Sequence, residues 1–201
     1  MNFLKFIGVY TCLIVTIAAC TQDDNIVKTD PIKEYESCCG SEAVEYRFST
    51  GQYMYVPNSF TPNEDGVNDL WFPHFSSGLE NIRAIFIFSS EDNTLIHQIY
   101  EYNLYPPGTP YGWDGRRSRN GMNLGDNSLY KGGFFYQIFF EEPVNVGNGA
   151  TSFLGKACSI LCDEDAAYFK DKEGCFFPVQ VDTNGMLDKT ILNGENNCFG
   201  N

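Results

Sequence analysis

Histidine is nearly absent from this chain: its 201 residues contain two, His74 and His97. Neither lies in a Gly-x-Ser-x-Gly, His-Glu-x-x-His or phosphate-loop pattern, so the chain carries no signature of a positioned nucleophile, base or catalytic metal. It is therefore expected not to be an enzyme. Basic side chains are scarce as well, 13 Lys and Arg against 26 Asp and Glu, for a net charge of −13. That balance argues against nucleic acid as a partner and against electrostatic docking on anionic lipid. There is no Cys-x-x-Cys, and neither histidine is close in sequence to a cysteine, which disfavours zinc. Long amphipathic helices, internal repeats and low-complexity segments are also missing.

What is present begins with a short apolar run, residues 6–17, behind Lys5. A membrane span needs about 20 apolar residues, so this run reads as the core of a signal peptide. It leads into Ile17-Ala18-Ala19-Cys20 and then at once into Thr21-Gln22-Asp23-Asp24. A cysteine directly after small residues resembles a bacterial lipoprotein signal, in which acyl chains are fixed to the thiol and the preceding peptide is removed. The resemblance implies residues 1–19 as signal peptide, Cys20 as lipid attachment site and a membrane partner reached through that anchor. The acids after Cys20 resemble a surface-export signal of Bacteroidota lipoproteins. Lipid-anchored residence at the outer membrane, with surface exposure, is the expected location.

With Cys12 lost and Cys20 acylated, six cysteines remain: Cys38, Cys39, Cys158, Cys162, Cys175 and Cys198. An even set in an exported chain reads as a disulfide framework. Cys158 and Cys162 fall in a segment read as a strand, where four residues span roughly 13 Å, while bonded cysteines need Cα atoms within about 7 Å. They are expected to pair not with each other but with the Cys38-Cys39 pair or with the tail. The individual pairings stay open at this point.

Residues 20–52 read as a polar tether. Branched and aromatic runs at 53–56, 82–88, 95–100, 134–140 and 152–161, separated by Gly, Asn and Asp, predict short strands. The fold class expected is all-β, a β-sandwich over residues 53–162 followed by a Cys-containing tail, 163–201, too short for a core of its own. A turn-rich insertion at 101–131 carries Trp113-Asp114-Gly115 and the cluster Arg116, Arg117 and Arg119, read as a solvated loop paired with nearby acids.

The most specific stretch is Val56-Pro57-Asn58-Ser59-Phe60-Thr61-Pro62-Asn63-Glu64-Asp65-Gly66-Val67-Asn68-Asp69. Followed by a central strand and hairpin, Trp113-Asp114-Gly115, Gly133-Phe134-Phe135-Tyr136 and Leu154-Gly155-Lys156, it resembles the gliding-motility-associated C-terminal domain, the type B sorting domain of type IX secretion. The resemblance covers about residues 53–161 and implies an immunoglobulin-like sandwich that addresses a protein to an outer-membrane export machine. Such a domain normally closes a large cargo; this chain carries almost no cargo and adds a tail with two cysteines.

Within that loop Asn63, Asp65, Asn68 and Asp69 surround Gly66, a grouping that calcium could use. The spacing is not that of an EF-hand, since Phe72 stands where the twelfth-position Glu belongs. The competing reading is Asx-turns that shape the loop without metal. The expected function is a structural or protein-interaction module of the envelope, with partners among other envelope proteins. An export address is the alternative, and a glycan-binding module using Tyr102, Tyr105, Tyr111 and Trp113 is a second one. His97, in an alternating strand, reads as half-buried packing.

Overall fold

The computed structural model describes residues 39, 44–48, 51–76, 82–102, 112–117, 128–144, 150–163, 166–169 and 173–199. Cys20, Cys38, Tyr105, Tyr111, Arg119 and residues 1–19, the expected signal peptide, lie outside them. The described part is all-β, with two sheets and almost no helix. Its strands are β1 (Glu45–Arg47), β2 (Tyr53–Tyr55), β3 (Ser59–Phe60), β4 (His74–Phe75), β5 (Ile82–Ser89), β6 (Leu95–Tyr102), β7 (Gly132–Val144) and β8 (Ala150–Ser159). A 3-10 turn at Ala166–Phe169 and a one-turn helix, α1, at Asn196–Phe199 follow.

One sheet has the order β1-β2-β4, the other β3-β8-β7-β5-β6. The pairings are antiparallel except β3 on β8, which runs parallel with Ser59 opposite Cys158. The four long strands sit where alternation of branched and aromatic residues predicts them. Strands β1, β3 and β4 have no such signal, because two or three residues cannot display a period. β1 lies in the stretch expected to be tether, so strand structure is found before residue 53. β8 ends at Ser159, which leaves Cys162 beyond the strand.

One core joins both sheets. Phe48, Met54 and Val56 meet Ile85, Ile87, Phe134, Ile138 and Ala157 in a single buried cluster. Phe134 is its hub: the rings of Trp113, Trp71 and Phe60 stand edge-on to it at 5.0, 5.3 and 6.0 Å. Such contacts contribute beyond area alone. Trp71 and Trp113 exchange both main-chain bonds at 2.9 Å, and Trp71 Nε1 donates to the Pro57 carbonyl at 2.8 Å.

Gly155 shows how tightly the strands are fitted. It lies opposite Tyr136 in the β7–β8 register, and a Cβ there would stand 2.1 Å from the Tyr136 hydroxyl. Gly155→Ala is expected to cost about 2–3 kcal/mol by forcing that ring off its site. Urea unfolding measures it; a loss below about 0.5 kcal/mol would mean the Tyr136 ring yields freely.

Among the described residues the tail adds no strand to either sheet. It builds a second cluster in which Phe169, Phe177, Phe199 and Cys198 cover Cys158 and Ile160 at the end of β8. Cys39 is bonded to Cys175 and Cys162 to Cys198. Cys158 is disulfide-bonded as well.

Candidate interaction surface

Two surfaces stand out: the motif loop with the tail upon it, and the outer face of the five-stranded sheet.

In the loop, Asp69 is the organiser. Its Oδ1 accepts the amides of Asn63 and Glu64, and its Oδ2 accepts that of Gly66, at 2.9, 2.5 and 2.6 Å. Asn63 Oδ1 accepts from Asp65 N, and Asp65 Oδ1 from Val67 N, in successive Asx-turns. Burial pushes the Asp65 carboxyl upward, but bonds from Val67 N, Asn197 Nδ2 and Asn63 Nδ2 hold it below the usual carboxylate range. Glu64 and Asn68 sit at positive φ, 64° and 51°. Asn68 turns the other way: its Nδ2 donates to the Asn193 carbonyl and to Glu195, and its Oδ1 accepts from Val179 N. The four residues suggested as a calcium set are thus occupied by the chain itself, three in shaping the loop and one in gripping the tail. Among the described residues no three His, Cys, Asp or Glu side chains gather in a metal-holding arrangement. Asp69→Ala removes three acceptor bonds and is expected to lower stability by about 2–3 kcal/mol. Millimolar calcium is expected to leave the melting temperature of the parent chain unchanged; a rise of several degrees would support the metal reading.

Glu195 is the residue that no sequence pattern announces. It is 2% exposed, its Oε1 accepts from Thr61 Oγ1 and Asn68 Nδ2, and its Oε2 has no partner. Desolvation pushes its carboxyl up to about 7; the Thr61 and Asn68 bonds oppose this, and Asp65 and Asp69 add to it. His74 is its counterpart. It is stacked on Tyr55 at 5.5 Å and lies against Phe72 at 4.6 Å, and its Nε2 has no partner. Burial brings it down to about 4. His97 stacks on Trp113 at 6.2 Å and is held below its ordinary value, first by burial.

Trp113 is fully buried and its Nε1 donates to the Arg116 carbonyl. Asp114 Oδ1 caps the turn at Arg116 N, and Gly115 adopts φ 81°. A buried ring cannot serve as an exposed sugar platform, so Trp113 is removed from the glycan-binding set; Tyr102 ends β6. Arg116 pairs with Glu64 at 2.5 Å, and Arg117 lies 5.1 Å over the Tyr130 ring.

The outer face of the five-stranded sheet is unlike the rest of this acidic molecule. Between Phe88 and Ala84, alternate residues of β5 turn away from the core, and the register places Phe135, Gln137 and Phe139 of β7 beside them. Phe86 contacts Phe88, Tyr100 and Phe139 at 6.4, 5.8 and 5.5 Å. Tyr100 is 60% exposed and Leu154 69%. Lys156 lies over the Phe135 ring at 5.7 Å and Arg83 of β5 is exposed; no acid is found on this face among the described side chains. Alternation within the strands makes this face partly legible, but only register shows that the aromatics converge.

The chain matches no family model, no curated protein and no solved structure.

Proposed function

We propose that this chain is a non-catalytic lipoprotein of the outer membrane, anchored through Cys20, whose folded part is an immunoglobulin-like sandwich that presents the outer face of its five-stranded sheet to an envelope protein. The single observation that carries this reading is the aromatic face itself, on which no acid lies among the described side chains. A chain of net charge −13 would gain solubility from acids on so large a surface, and exposed apolar patches on soluble domains are usually interaction sites. The half-exposed rings and the amides of Gln98 and Gln137 suit a partner that is apolar at its centre and polar at its rim.

Photo-crosslinking in living cells tests it. A photoreactive residue at position 154 or 100 is expected to give one discrete adduct, and the same residue at the exposed tail position Leu192 none. Equal labelling at all three positions, or none at 154, would refute the docking role. Mass spectrometry of the mature N-terminus tests the anchor: an unacylated chain free in the medium would refute it.

The motif resemblance favours a second reading, an export address for type IX secretion. Under it, deletion of the type IX pore should trap the protein inside the cell, whereas the anchored-module reading predicts normal placement.

A further inference from the structure

The tail lies in a groove and is gripped there through its main chain. Asn58 donates its Nδ2 to the Gly174 carbonyl at 2.8 Å and accepts from Phe176 N at 2.7 Å, and Tyr55 donates its hydroxyl to the Phe177 carbonyl. At the far end Asn68 Nδ2 donates to the Asn193 carbonyl at 2.7 Å, and Glu195 receives both Thr61 and Asn68. These last contacts straddle an Asn-Gly pair, Asn193-Gly194. A glycine nitrogen has no side chain beside it to block its approach to the preceding asparagine amide. Whether the two react is then decided by what the fold does with that nitrogen and that amide.

The chain has four Asn-Gly pairs; those at 120–121 and 148–149 lie outside the described residues. The fold treats the other two differently. At Asn184-Gly185 both reacting groups are engaged. Gly185 N donates to the Asp182 carbonyl at 3.0 Å, and Asn184 donates Nδ2 to Asp182 Oδ2 at 3.1 Å and its own N to Oδ1 at 2.8 Å. At Asn193-Gly194 the glycine nitrogen has no hydrogen-bond partner among the described residues, and Gly194 is exposed. The Asn193 side chain is folded back along the chain in an Asx-turn, its Oδ1 accepting from Glu195 N at 3.0 Å. That donor sits on the oxygen where negative charge gathers when a nitrogen adds to the amide carbon, so it favours the addition.

We propose that Asn193 is a self-modifying site: Gly194 N attacks its Cγ, and the acid that results loosens the end of the tail from Thr61 and Asn68. The bond from Gly194 N to Cγ forms, the Cγ–Nδ2 bond breaks, and the amide proton of Gly194 leaves with Nδ2 as ammonia. The cyclic imide then takes up water. Opening at Cγ gives aspartate. Opening at the main-chain carbonyl gives isoaspartate, in which the chain runs through the side chain and is longer by a methylene. Water is consumed, ammonia is released, and no oxidant is needed. Either product adds a negative charge where Asp65 and Asp69 already act on Glu195, and like charges oppose one another. Isoaspartate also turns the carbonyl that Asn68 holds into a free carboxylate. Both changes fall outside the main core, which has no member beyond Ala157, and the Cys162–Cys198 bond keeps the loosened segment attached. The reaction runs one way, so an aged chain differs from a new one in its tail and not in its sheets.

The full chain, disulfides intact, is held at neutral pH in water enriched in ¹⁸O and then digested. Peptides carrying Asn184 and Asn193 are followed by mass spectrometry, with fragmentation that separates aspartate from isoaspartate. Conversion at Asn193, with uptake of ¹⁸O, is expected to run at least about tenfold faster than at Asn184. In chain reduced and unfolded in urea the two rates should converge, because the dipeptide is the same. An equal or slower rate at Asn193 in the folded chain, or the same ratio in the unfolded one, would overturn the site. The consequence is read by hydrogen exchange on Asn193→Asp, which supplies the aspartate product directly. Amides of residues 195–199 are expected to exchange at least about tenfold faster than in the parent, while those of β5 and β7 keep their rates. Unchanged exchange in the tail would overturn the loosening. If that variant does not fold, the converted fraction of the aged chain, separated from the unconverted by ion exchange, is compared in the same way.

Discussion

Glu195→Gln is expected to raise the unfolding free energy at pH 7.5 by up to about 3 kcal/mol and to change it little near pH 4.5. The carboxyl titrates at 4.5 when free and at about 7 in the fold, because burial beside Asp65 and Asp69 disfavours its charge. Between those values the native state holds a proton that the unfolded state has lost, so this group makes stability fall as pH rises. Glutamine keeps the acceptor for Thr61 and Asn68 and carries no charge to bury. His74 acts with the opposite sign. Its ordinary value of 6.5 falls to about 4 in its aromatic enclosure, so between those values the unfolded state holds the extra proton and stability rises with pH. The two slopes oppose each other from about pH 4.5 to 6.5. The parent chain should therefore show a nearly flat profile there, Glu195→Gln a rising one and His74→Phe, which retains a flat ring against Tyr55, a falling one. Urea unfolding at four pH values between these limits gives all three curves. Parallel curves for the parent and Glu195→Gln would show that the carboxylate is solvated in the fold.

The long strands were legible because eight or more residues of branched and aromatic alternation have few other uses. Asp114-Gly115 was legible as a turn, because an Asp-Gly pair marks one. Asn63, Asp65 and Asp69 were legible as turn formers, since an Asx side chain closes on amides within a few residues of itself. Asn58 and Asn68 belong to the same motif, yet nothing local shows that they serve a tail more than a hundred residues away. Glu195 is the extreme case. It stands among Asn193, Gly194, Asn196 and Asn197, a setting that reads as solvated turn, and it is buried only because the tail folds back onto Thr61 and Asn68. β1 was hidden for a related reason: a three-residue strand among polar neighbours shows its pairing only once β2 is placed beside it. Strand spacing excluded a Cys158–Cys162 bond, and Cys162 does reach the tail; which tail cysteine it reaches depends on the path of the chain between them.

That path gives the disulfides a large and unequal effect. In the chain-entropy account, a bond closing 36 residues, as Cys162–Cys198 does, restrains the unfolded chain by about 4 kcal/mol. One closing 136, as Cys39–Cys175 does, restrains it by about 5 kcal/mol. Each is a sizeable fraction of the 5–15 kcal/mol or so that holds an ordinary domain together. Cys162→Ser with Cys198→Ser is expected to free α1 and the second cluster first, because the main core has no member in the tail. Hydrogen exchange should then show amides around Phe177 and Phe199 losing protection while those of β5 and β7 keep theirs. Cys39→Ser with Cys175→Ser is expected to do more: it cuts the longer loop and places a hydroxyl in the apolar cluster at Cys39, which is 7% exposed. Its unfolding midpoint should lie below that of the first pair. Removing both bonds should leave a tail that exchanges at the rate of free chain, with the two sheets still protected. Simultaneous loss of protection in tail and sheets, in either double variant, would mean that the tail is part of one cooperative unit with the core and cannot come away from its groove.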